Sequence, residues 1–168
     1  FSTGNGVNGF TLDPGIGEFL LTHPDLRIPD HGARYSINEA DREDFAPELR
    51  DFLGWLKRTD PETGSRIRSR YIGSFVSDFH RNLLTGGIYM YPATADHPEG
   101  KLRLMYEANP MAYLVEQAGG RASDGHRRIL DLNPDALHQR TPLFIGSAPL
   151  VEAAEAFLQG REAEVTAR

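Results

Sequence analysis

The feature that most constrains the fold is an alternation of short apolar segments with longer amphipathic ones, separated by glycine and proline. The short segments have the length and the residue types of strands, whereas the longer ones begin at proline or serine and stop at glycine, as helices do. The sequence predicts two strands around the turn Asp13-Pro14-Gly15, further strands at 33–38, 88–91, 102–107, 129–132 and 142–146, and helices that begin near Pro47, Ser74, Asn109 and Ser147. Alternating strands and helices are typical of a layered α/β domain, so we predict a mixed β-sheet flanked by helices.

The chain length of 168 residues fits one such domain. A chain of this size buries roughly 70% of the surface that its unfolded form exposes, which is enough for a substantial core. We therefore expect residues 1–168 to form a single domain, with a frayed tail at 161–168.

The charge and the cysteine content exclude several classes of function. Asp and Glu outnumber Lys and Arg by 24 to 18, for a net charge of -6, which disfavours broad nucleic-acid binding. The sequence has no cysteine, which excludes disulfides and thiolate chemistry and fits a reducing compartment. It also has no apolar run of about 18 residues, so no membrane span is predicted. We expect a cytoplasmic protein with no nucleic-acid or membrane partner.

A first candidate site lies at 70–74, where Arg-Tyr-Ile-Gly-Ser precedes a predicted helix. Gly73 lets the backbone turn closely and Ser74 can cap the helix, whose free amides favour a phosphate. Arg70 could add bidentate hydrogen bonds to that phosphate. The same residues also fit an ordinary strand-to-helix turn with a surface arginine.

A second candidate site is a pair of tyrosines on the predicted strand at 88–91. Tyr89 and Tyr91 lie on the same face of that strand, because side chains alternate along an extended chain. Their hydroxyl groups can donate to a phosphate oxygen without adding charge. The alternative is that both rings pack in the core with their hydroxyl groups at its rim.

A third candidate site combines Lys101 with Glu107. Lysine suits a phosphate, whereas a glutamate carboxylate suits a hard cation such as Mg²⁺, although a lone glutamate is a weak indication of a metal site. In a straight strand their Cα atoms would lie roughly 20 Å apart. One ligand can therefore contact both only if Lys101 leans along the strand or the strand bends.

Several longer motifs occur in a specific order. They are YSINE at 35–39, RYIGSFVSDFHR at 70–81, GGIYMYP at 86–92 and GKLRLMYEANPMAYLVEQAGG at 100–120. Together they resemble class I fructose-1,6-bisphosphatase, over nearly the whole chain. The resemblance is to the C-terminal half of that family, so it implies the fold of a sugar-phosphatase C-terminal domain. The acidic Asp-Pro-x-Asp-Gly-Ser metal motif of the family's N-terminal half has no counterpart here.

The resemblance also implies roles for individual residues. The 6-phosphate of the substrate would be held by Asn38, Tyr71, Tyr91 and Lys101. The sugar would contact the Lys101 side chain and the backbone of Gly73, Ser74 and Phe75. Arg70 matches an arginine that reaches the active site of a neighbouring subunit, and Glu107 matches a metal ligand near the 1-phosphate. Asp41 departs from the family, whose members often carry tyrosine or asparagine there, so a supplementary tyrosine contact to the 6-phosphate is not expected.

The activity implied by the resemblance is metal-dependent hydrolysis of the 1-phosphate of fructose 1,6-bisphosphate. Mg²⁺ or Mn²⁺ would be bound mostly by residues of the family's N-terminal half, and the full-length protein would be a homotetramer. We expect this chain alone to have little or no phosphatase activity, because a two-metal site needs several ligands. Two alternatives stay open, namely sedoheptulose-1,7-bisphosphatase activity and a non-catalytic module that binds sugar phosphates or assists assembly.

Overall fold

The computed structural model describes residues 1–60, 64 and 66–161 of the chain. Its strands are β1 (Gly9–Asp13), β2 (Glu18–His23), β3 (Arg34–Ser36), β4 (Arg68–Ser69), β5 (Ile88–Tyr91), β6 (Leu102–Arg103), β7 (Arg121–Ser123), β8 (Arg140–Thr141) and β9 (Leu143–Gly146). Its α-helices are α1 (Pro47–Lys57), α2 (Phe75–Thr85), α3 (Asn109–Gln117) and α4 (Ala148–Leu158). Within the predicted frayed tail, only Arg161 belongs to the described residues, and 162–168 lie outside them.

The central element is a five-stranded sheet with the strand order β4-β3-β5-β9-β7. Strand β3 pairs in parallel with both β4 and β5, whereas β9 pairs antiparallel with both β5 and β7. The predicted mixed sheet in an α/β fold is therefore confirmed.

Helices cover both faces of this sheet. On one face α1 and α4 pack against Ile88 and Met90 of β5, and on the other α2 and α3 pack around Tyr89. Successive strand residues point to opposite faces, so a strand covered on both sides is apolar at nearly every position. This explains why the segment Ile88–Tyr91 does not alternate between apolar and polar residues.

The boundaries of two helices follow from their terminal residues. Helix α1 begins at Pro47, whose fixed φ suits the first helical position, and it buries Leu49, Phe52, Leu53 and Leu56 on one stripe. Helix α2 ends at Gly86, which has a φ of 73° that is favourable only for glycine. Both helices begin within one residue of their predicted starts, Pro47 and Ser74.

The predicted hairpin is confirmed at β1 and β2. The Asp13 side chain accepts a hydrogen bond from the Gly15 amide at 2.8 Å, and the Asp13 carbonyl accepts one from the Gly17 amide at 2.8 Å. These bonds close the turn, and Gly17 supplies its left-handed residue with a φ of 72°. The hairpin forms a separate two-stranded sheet.

The predicted strand at 102–107 is wrong beyond Arg103. Strand β6 stops there, and the chain enters a π-helical turn, Leu104–Ala108, that continues into α3. Leu104 and Ala108 are both buried, and their spacing is that of a helix. The Glu107 carboxylate accepts a hydrogen bond of 2.8 Å from the Arg103 amide, which is free at the start of the helix. Asn109, where the sequence predicts the helix to begin, consequently has helical φ and ψ of -59° and -50° and lies inside the continuous helical segment.

Two other strand predictions also change. The segment predicted as a strand at 129–132 is a 3₁₀ turn, Ile129–Asp131, which is tied by an ion pair of 2.7 Å between Arg128 and Asp131. The strand predicted at 33–38 ends at Ser36, because Asn38 caps a 3₁₀ helix, Glu39–Asp44. No helix among the described residues combines the length and the apolar character that crossing a membrane requires.

Candidate sugar-phosphate site

A small pocket brings together three of the predicted phosphate-binding residues. Asn38 follows β3, Tyr91 ends β5 and Lys101 immediately precedes β6, and all three line the pocket together with Asp41. Because β3 and β5 are parallel neighbours, their ends meet at one edge of the sheet, where α/β proteins commonly bind ligands. The rest of the lining is mainly apolar: Ile37, Phe45, Met90, Pro92 and Thr94. About 20 Å³ of its volume is open to water, so it can anchor one end of a ligand but cannot enclose a whole sugar bisphosphate.

The Asn38 side chain is held by two hydrogen bonds at the mouth of this pocket. Its Oδ1 accepts from the Ala40 amide at 3.3 Å, and its Nδ2 donates to Oδ2 of Asp41 at 3.0 Å. One N–H of the amide group remains for an anion, since Nδ2 has two donors. Asp41 was not among the predicted contacts, and its carboxylate brings a negative charge into a pocket proposed for phosphate.

Tyr91 is positioned by a row of aromatic rings. It stacks on Tyr89 with a centroid distance of 6.4 Å, and Tyr89 stacks on Phe75 at 4.8 Å. Tyr89 is buried, which places it in the core rather than in the site. Phe75 is half-buried, and its side chain supports this row from the first turn of α2.

Tyr71 lies within electrostatic range of the same pocket. Partial burial raises the pKa of its hydroxyl, and the nearby Tyr91, Asp78 and Asp41 raise it further. The phenol therefore stays protonated at neutral pH and can donate a hydrogen bond to a phosphate oxygen. Tyr71 does not line the pocket, but its electrostatic interaction with Tyr91 and Asp41, which do, indicates that it lies near that edge of the pocket.

The segment from Arg70 to Ser74 forms a sharp connection from the sheet to α2. The Arg70 amide donates to the Tyr35 carbonyl at 2.8 Å, and Gly73 has a φ of 84°, which strongly favours glycine. Ser74 occupies the N-cap position of α2, but its side chain makes no capping hydrogen bond. Gly73 and Ser74 are exposed, and the free amides of the first helical turn begin directly after them.

The Arg70 guanidinium is also exposed. It forms no hydrogen bond or ion pair with any residue that the structure describes, whereas its backbone is fixed on both sides. An arginine with a fixed backbone and an unpaired guanidinium group can bind an anion outside the chain.

A buried ion pair behind this connection was missed by the sequence analysis. Asp78 on α2 is fully buried, and Oδ1 lies 2.9 Å from Nη1 of Arg81. Asp78 Oδ2 accepts from the Ile72 amide at 3.0 Å, and Arg81 Nη2 donates to the Arg70 carbonyl at 3.2 Å and to Ser36 Oγ at 2.7 Å. The pair therefore fixes the 70–74 segment against β3. Its only signal in the sequence is the i,i+3 spacing of opposite charges on a predicted helix.

Lys101 follows Gly100, a position where the backbone geometry requires glycine. Gly100 has a φ of 77°, and a Cβ there would lie 2.4 Å from the Thr141 and Pro142 backbone. The Lys101 carbonyl accepts from Arg140 at 2.7 Å, while its ammonium group has no ion-pair partner within the described part of the chain. The lysine charge is therefore available to an anion in the pocket.

Glu107, the predicted metal ligand, lies on the π-helical turn and pairs with Arg103. Helical rise is about 1.5 Å per residue against about 3.3 Å in a strand, so the roughly 20 Å separation from Lys101 does not apply. If one ligand is to contact both Lys101 and Glu107, the chain between them must bend, and the π-helical turn is that bend. No cluster of three or more acidic or histidine side chains exists among the described residues, so a metal would need further ligands beyond Glu107.

Comparisons with known proteins agree with this geometry. The family model for the C-terminal domain of fructose-1,6-bisphosphatase matches residues 28–159. A class 1 fructose-1,6-bisphosphatase of Salinibacter ruber is 83% identical over 164 residues, which cover 98% of this chain and 46% of the relative. The corresponding protein of Chlorobaculum tepidum is 59% identical, with 96% of this chain and 48% of the relative covered.

A solved structure extends the likeness to three dimensions. The holo form of Leishmania major fructose-1,6-bisphosphatase superposes with a TM-score of 0.88 at 49% identity, covering 94% of this chain and 48% of that one. This chain thus spans about half the length of the relatives it matches. The resemblance seen in the sequence motifs is confirmed: the chain belongs to the fructose-1,6-bisphosphatase family, and it corresponds to the C-terminal domain of that family.

Proposed function

We propose that this chain supplies the sugar and 6-phosphate site of an enzyme that converts fructose 1,6-bisphosphate into fructose 6-phosphate and phosphate. The observation that carries the proposal is the convergence of Asn38, Tyr91 and Lys101 on one pocket, in a chain of this family. Relatives over the matched half are named as class 1 fructose-1,6-bisphosphatases.

The pocket would bind the 6-phosphate through one charge and several neutral donors. Lys101 contributes the positive charge, and the hydroxyls of Tyr71 and Tyr91 and the Asn38 amide contribute hydrogen bonds without further charge. This explains how a chain with a net charge of -6 can hold an anion, since the positive charge is local. The amides around Gly73, Ser74 and Phe75 would contact the sugar.

Binding this remote end of the substrate serves the reaction at the other end. The phosphate that leaves is the 1-phosphate, so contacts to the 6-phosphate do not change during the chemical step. Their binding free energy orients the reacting phosphate and lowers the entropic part of the barrier.

Glu107 would contribute one oxygen ligand to Mg²⁺ or Mn²⁺ at the 1-phosphate end. Bound metal ions would activate the attacking water and neutralise charge on the departing oxygen. The ion pair with Arg103 holds the Glu107 carboxylate in one orientation, so that its remaining lone pairs are directed before a cation arrives. The other ligands would come from the family's N-terminal half.

We further propose that the full-length protein is a homotetramer in which Arg70 contacts substrate bound to a neighbouring subunit. The support is the exposed guanidinium, which lacks a partner among the described residues. A chain that binds the 6-phosphate but lacks a metal cluster within its described part would act, when alone, as a sugar-phosphate-binding module without turnover.

Phosphate release in the presence of Mg²⁺ tests the proposed function. The unmatched part of the Salinibacter ruber relative, fused ahead of this chain, should hydrolyse fructose 1,6-bisphosphate in preference to sedoheptulose 1,7-bisphosphate. The chain without that part should show no turnover above background. A properly folded fusion without activity, or robust turnover by the chain alone, would contradict the proposal.

A further inference from the structure

The pocket proposed for the 6-phosphate contains a carboxylate as well as an ammonium group. Asp41 and Lys101 both line it, and the other side chains of its lining are neutral. Asp41 Oδ2 accepts a hydrogen bond of 3.0 Å from Asn38, whereas Oδ1 has no hydrogen-bond partner within the described part of the chain. Asp41 is half-buried and forms no ion pair with any residue that the structure describes, so its charge acts on whatever occupies the pocket.

The charge balance of the pocket depends on the protonation state of the phosphate. The charges of Asp41 and Lys101 cancel, so the lining is close to neutral. A phosphate ester carries one negative charge below its second pKa, which is about 6, and nearly two above it. The monoanion would therefore leave one net negative charge in the pocket, and the dianion would leave two. Unbalanced charge is costly in a confined and mainly apolar space, so the lining favours the monoanion.

The hydrogen-bonding capacity of Asp41 favours the same form. A carboxylate only accepts hydrogen bonds, and a dianionic phosphate also only accepts them, so neither can donate to the other. The monoanion has one P–O–H group, which can donate to the free oxygen of Asp41. Lys101 and the Tyr91 hydroxyl remain as donors to the other phosphate oxygens. Only the protonated ester thus satisfies the acceptor and the donors of the pocket together.

The electrostatic influence of Asp41 extends beyond its own hydrogen bond. Burial raises the pKa of Tyr71, and Asp41 raises it further, after Tyr91 and Asp78. Asp41 therefore disfavours an additional negative charge on a hydroxyl near the edge of the pocket. A phosphate inside the pocket that Asp41 lines would experience the same effect at closer range.

We propose that this pocket binds the 6-phosphate preferentially as the monoanion, with the phosphate proton donated in a hydrogen bond to Asp41. Free fructose 6-phosphate is mostly dianionic at neutral pH, so it takes up a proton from solvent when it binds, and no covalent bond other than this O–H changes. The affinity is then highest below the second pKa of the free phosphate and is lost as the pH rises through the higher pKa of the bound phosphate. The proposal rests on the proposed function, because it concerns the same 6-phosphate site.

The other ionisable side chains around the pocket belong mainly to residue types that keep their protons at neutral pH. They are Lys101 and Tyr91 in the lining, Tyr71 near its edge, Arg42 beside Asp41, and Arg140, which donates to the Lys101 carbonyl. Lysine, arginine and tyrosine ordinarily titrate far above pH 7. Arg42 and Arg140 are also exposed, so water screens their charges.

The loop at 94–100 carries the one histidine that must be separated from the phosphate. His97 exchanges two backbone hydrogen bonds with Thr94, at 3.0 and 3.2 Å, and Thr94 lines the pocket. A histidine ordinarily titrates near 6.5, close to the range of a phosphate ester. The acidic residues of this loop, Asp96 and Glu99, are exposed and belong to types that ordinarily titrate near 4. His97→Gln is therefore the control for the origin of the proton.

Calorimetry of fructose 6-phosphate binding at pH 7, in two buffers with different heats of ionisation, measures the proton uptake directly. For a phosphate pKa raised by about one unit in the complex, we expect an uptake of about 0.4 proton per bound ligand. The affinity should then fall by about fivefold from pH 6 to pH 8. Phosphorus NMR gives an independent readout, since the resonance of the bound phosphate should titrate about one unit above that of the free ligand.

Three variants assign the proton to its acceptor. Asp41→Asn keeps an acceptor for Asn38 and removes the charge, so its uptake should drop below about 0.1 proton and its affinity should no longer fall with pH. Asp44→Asn, an exposed change in the same 3₁₀ helix, and His97→Gln should both retain the uptake of the wild type.

Two results would overturn the proposal and leave the proposed function intact. The first is that the wild type binds fructose 6-phosphate without proton uptake and without a raised pKa of the bound phosphate; this result needs no variant, so misfolding cannot produce it. The second is that Asp41→Asn retains the uptake or that His97→Gln abolishes it, which would assign the proton to another group. If the wild type does not bind fructose 6-phosphate at all, the proposed function fails and this proposal fails with it.

Discussion

The Glu107 carboxylate accepts a hydrogen bond of 2.8 Å from the backbone amide of Arg103 and lies 3.4 Å from the guanidinium of the same residue. The Glu107 side chain thus caps the start of a helix and forms an ion pair, although the sequence predicts it as a metal ligand. Both functions are compatible, because each carboxylate oxygen has two acceptor positions. Arg103 orients the Glu107 carboxylate through these two contacts.

Replacing Glu107 with Gln should affect metal binding and leave sugar binding intact. The amide group keeps the shape of the side chain but loses the negative charge that a hard cation requires. In the fusion with the relative's N-terminal part, we expect the Mg²⁺ concentration for half-maximal activity to rise by about tenfold or more. Fructose 6-phosphate affinity, measured by calorimetry, should change by less than about twofold. Glu152→Gln, an exposed change on α4, is the control, and equal metal dependence in the two variants would refute the assignment.

Replacing Asp41 with Asn should strengthen the binding of fructose 6-phosphate. The variant removes a negative charge from the pocket while it keeps an acceptor for the Asn38 amide. Relief of like-charge repulsion should raise affinity by roughly threefold to tenfold. Asp44→Asn, an exposed change in the same 3₁₀ helix, should have little effect. Weaker binding by Asp41→Asn would show that Asp41 acts mainly by orienting Asn38.

Replacing Gly100 with Ala should destabilise the chain more than the same change at Gly17. Both glycines have a left-handed φ, 77° and 72°, which costs alanine roughly 1–2 kcal/mol. Only at Gly100 would the new Cβ meet backbone, at 2.4 Å, whereas nothing lies within 4 Å at Gly17. We expect Gly100→Ala to lower the free energy of unfolding by at least about 1 kcal/mol more, in urea titrations. Equal losses at the two positions would rule out the close approach of β8 beside Lys101.

Breaking the Asp78–Arg81 pair should destabilise the chain and disturb the 70–74 segment. Asp78→Asn leaves the Arg81 charge largely buried without its partner, and we expect a loss of about 3 kcal/mol in the free energy of unfolding. The double variant Asp78→Asn/Arg81→Met should recover part of that loss, since no unpaired charge remains. Urea unfolding monitored at Trp55 measures both effects. A single variant as stable as the wild type would show that the pair contributes nothing to the fold.

Local signals predicted the elements whose ends are set by one or two residues. Pro47 placed the start of α1, and Gly86 placed the end of α2, because backbone preference decides both. The prediction of a strand at 102–107 is wrong beyond Arg103 because two periods fit this segment. Leu102 and Leu104 fit the period of two of a strand, whereas Leu104 and Ala108 fit the period of a helix, and only the sheet context favours the helix.

In the candidate site too, local motifs predicted some residues, whereas others depend on contacts between elements. Asn38, Tyr91 and Lys101 were found through motifs, and the structure brings them together. Asp78 and Arg81 escaped notice because their function is to brace the backbone of Arg70 and Ile72, and this depends on contacts across elements. No sequence pattern places Asp41 against the Asn38 amide in advance, since that contact arises only when the 3₁₀ helix forms after β3.

Calorimetric titration of fructose 6-phosphate into this chain tests the central claim most directly, because the claim assigns the 6-phosphate site to residues of this chain alone. We expect measurable binding of fructose 6-phosphate, no measurable binding of fructose, and a loss of at least about tenfold in affinity for Lys101→Ala. Arg127→Ala removes a positive charge that does not line the pocket and should leave the affinity unchanged. Equal binding of fructose and fructose 6-phosphate, or equal affinity for the wild type and Lys101→Ala, would contradict the account.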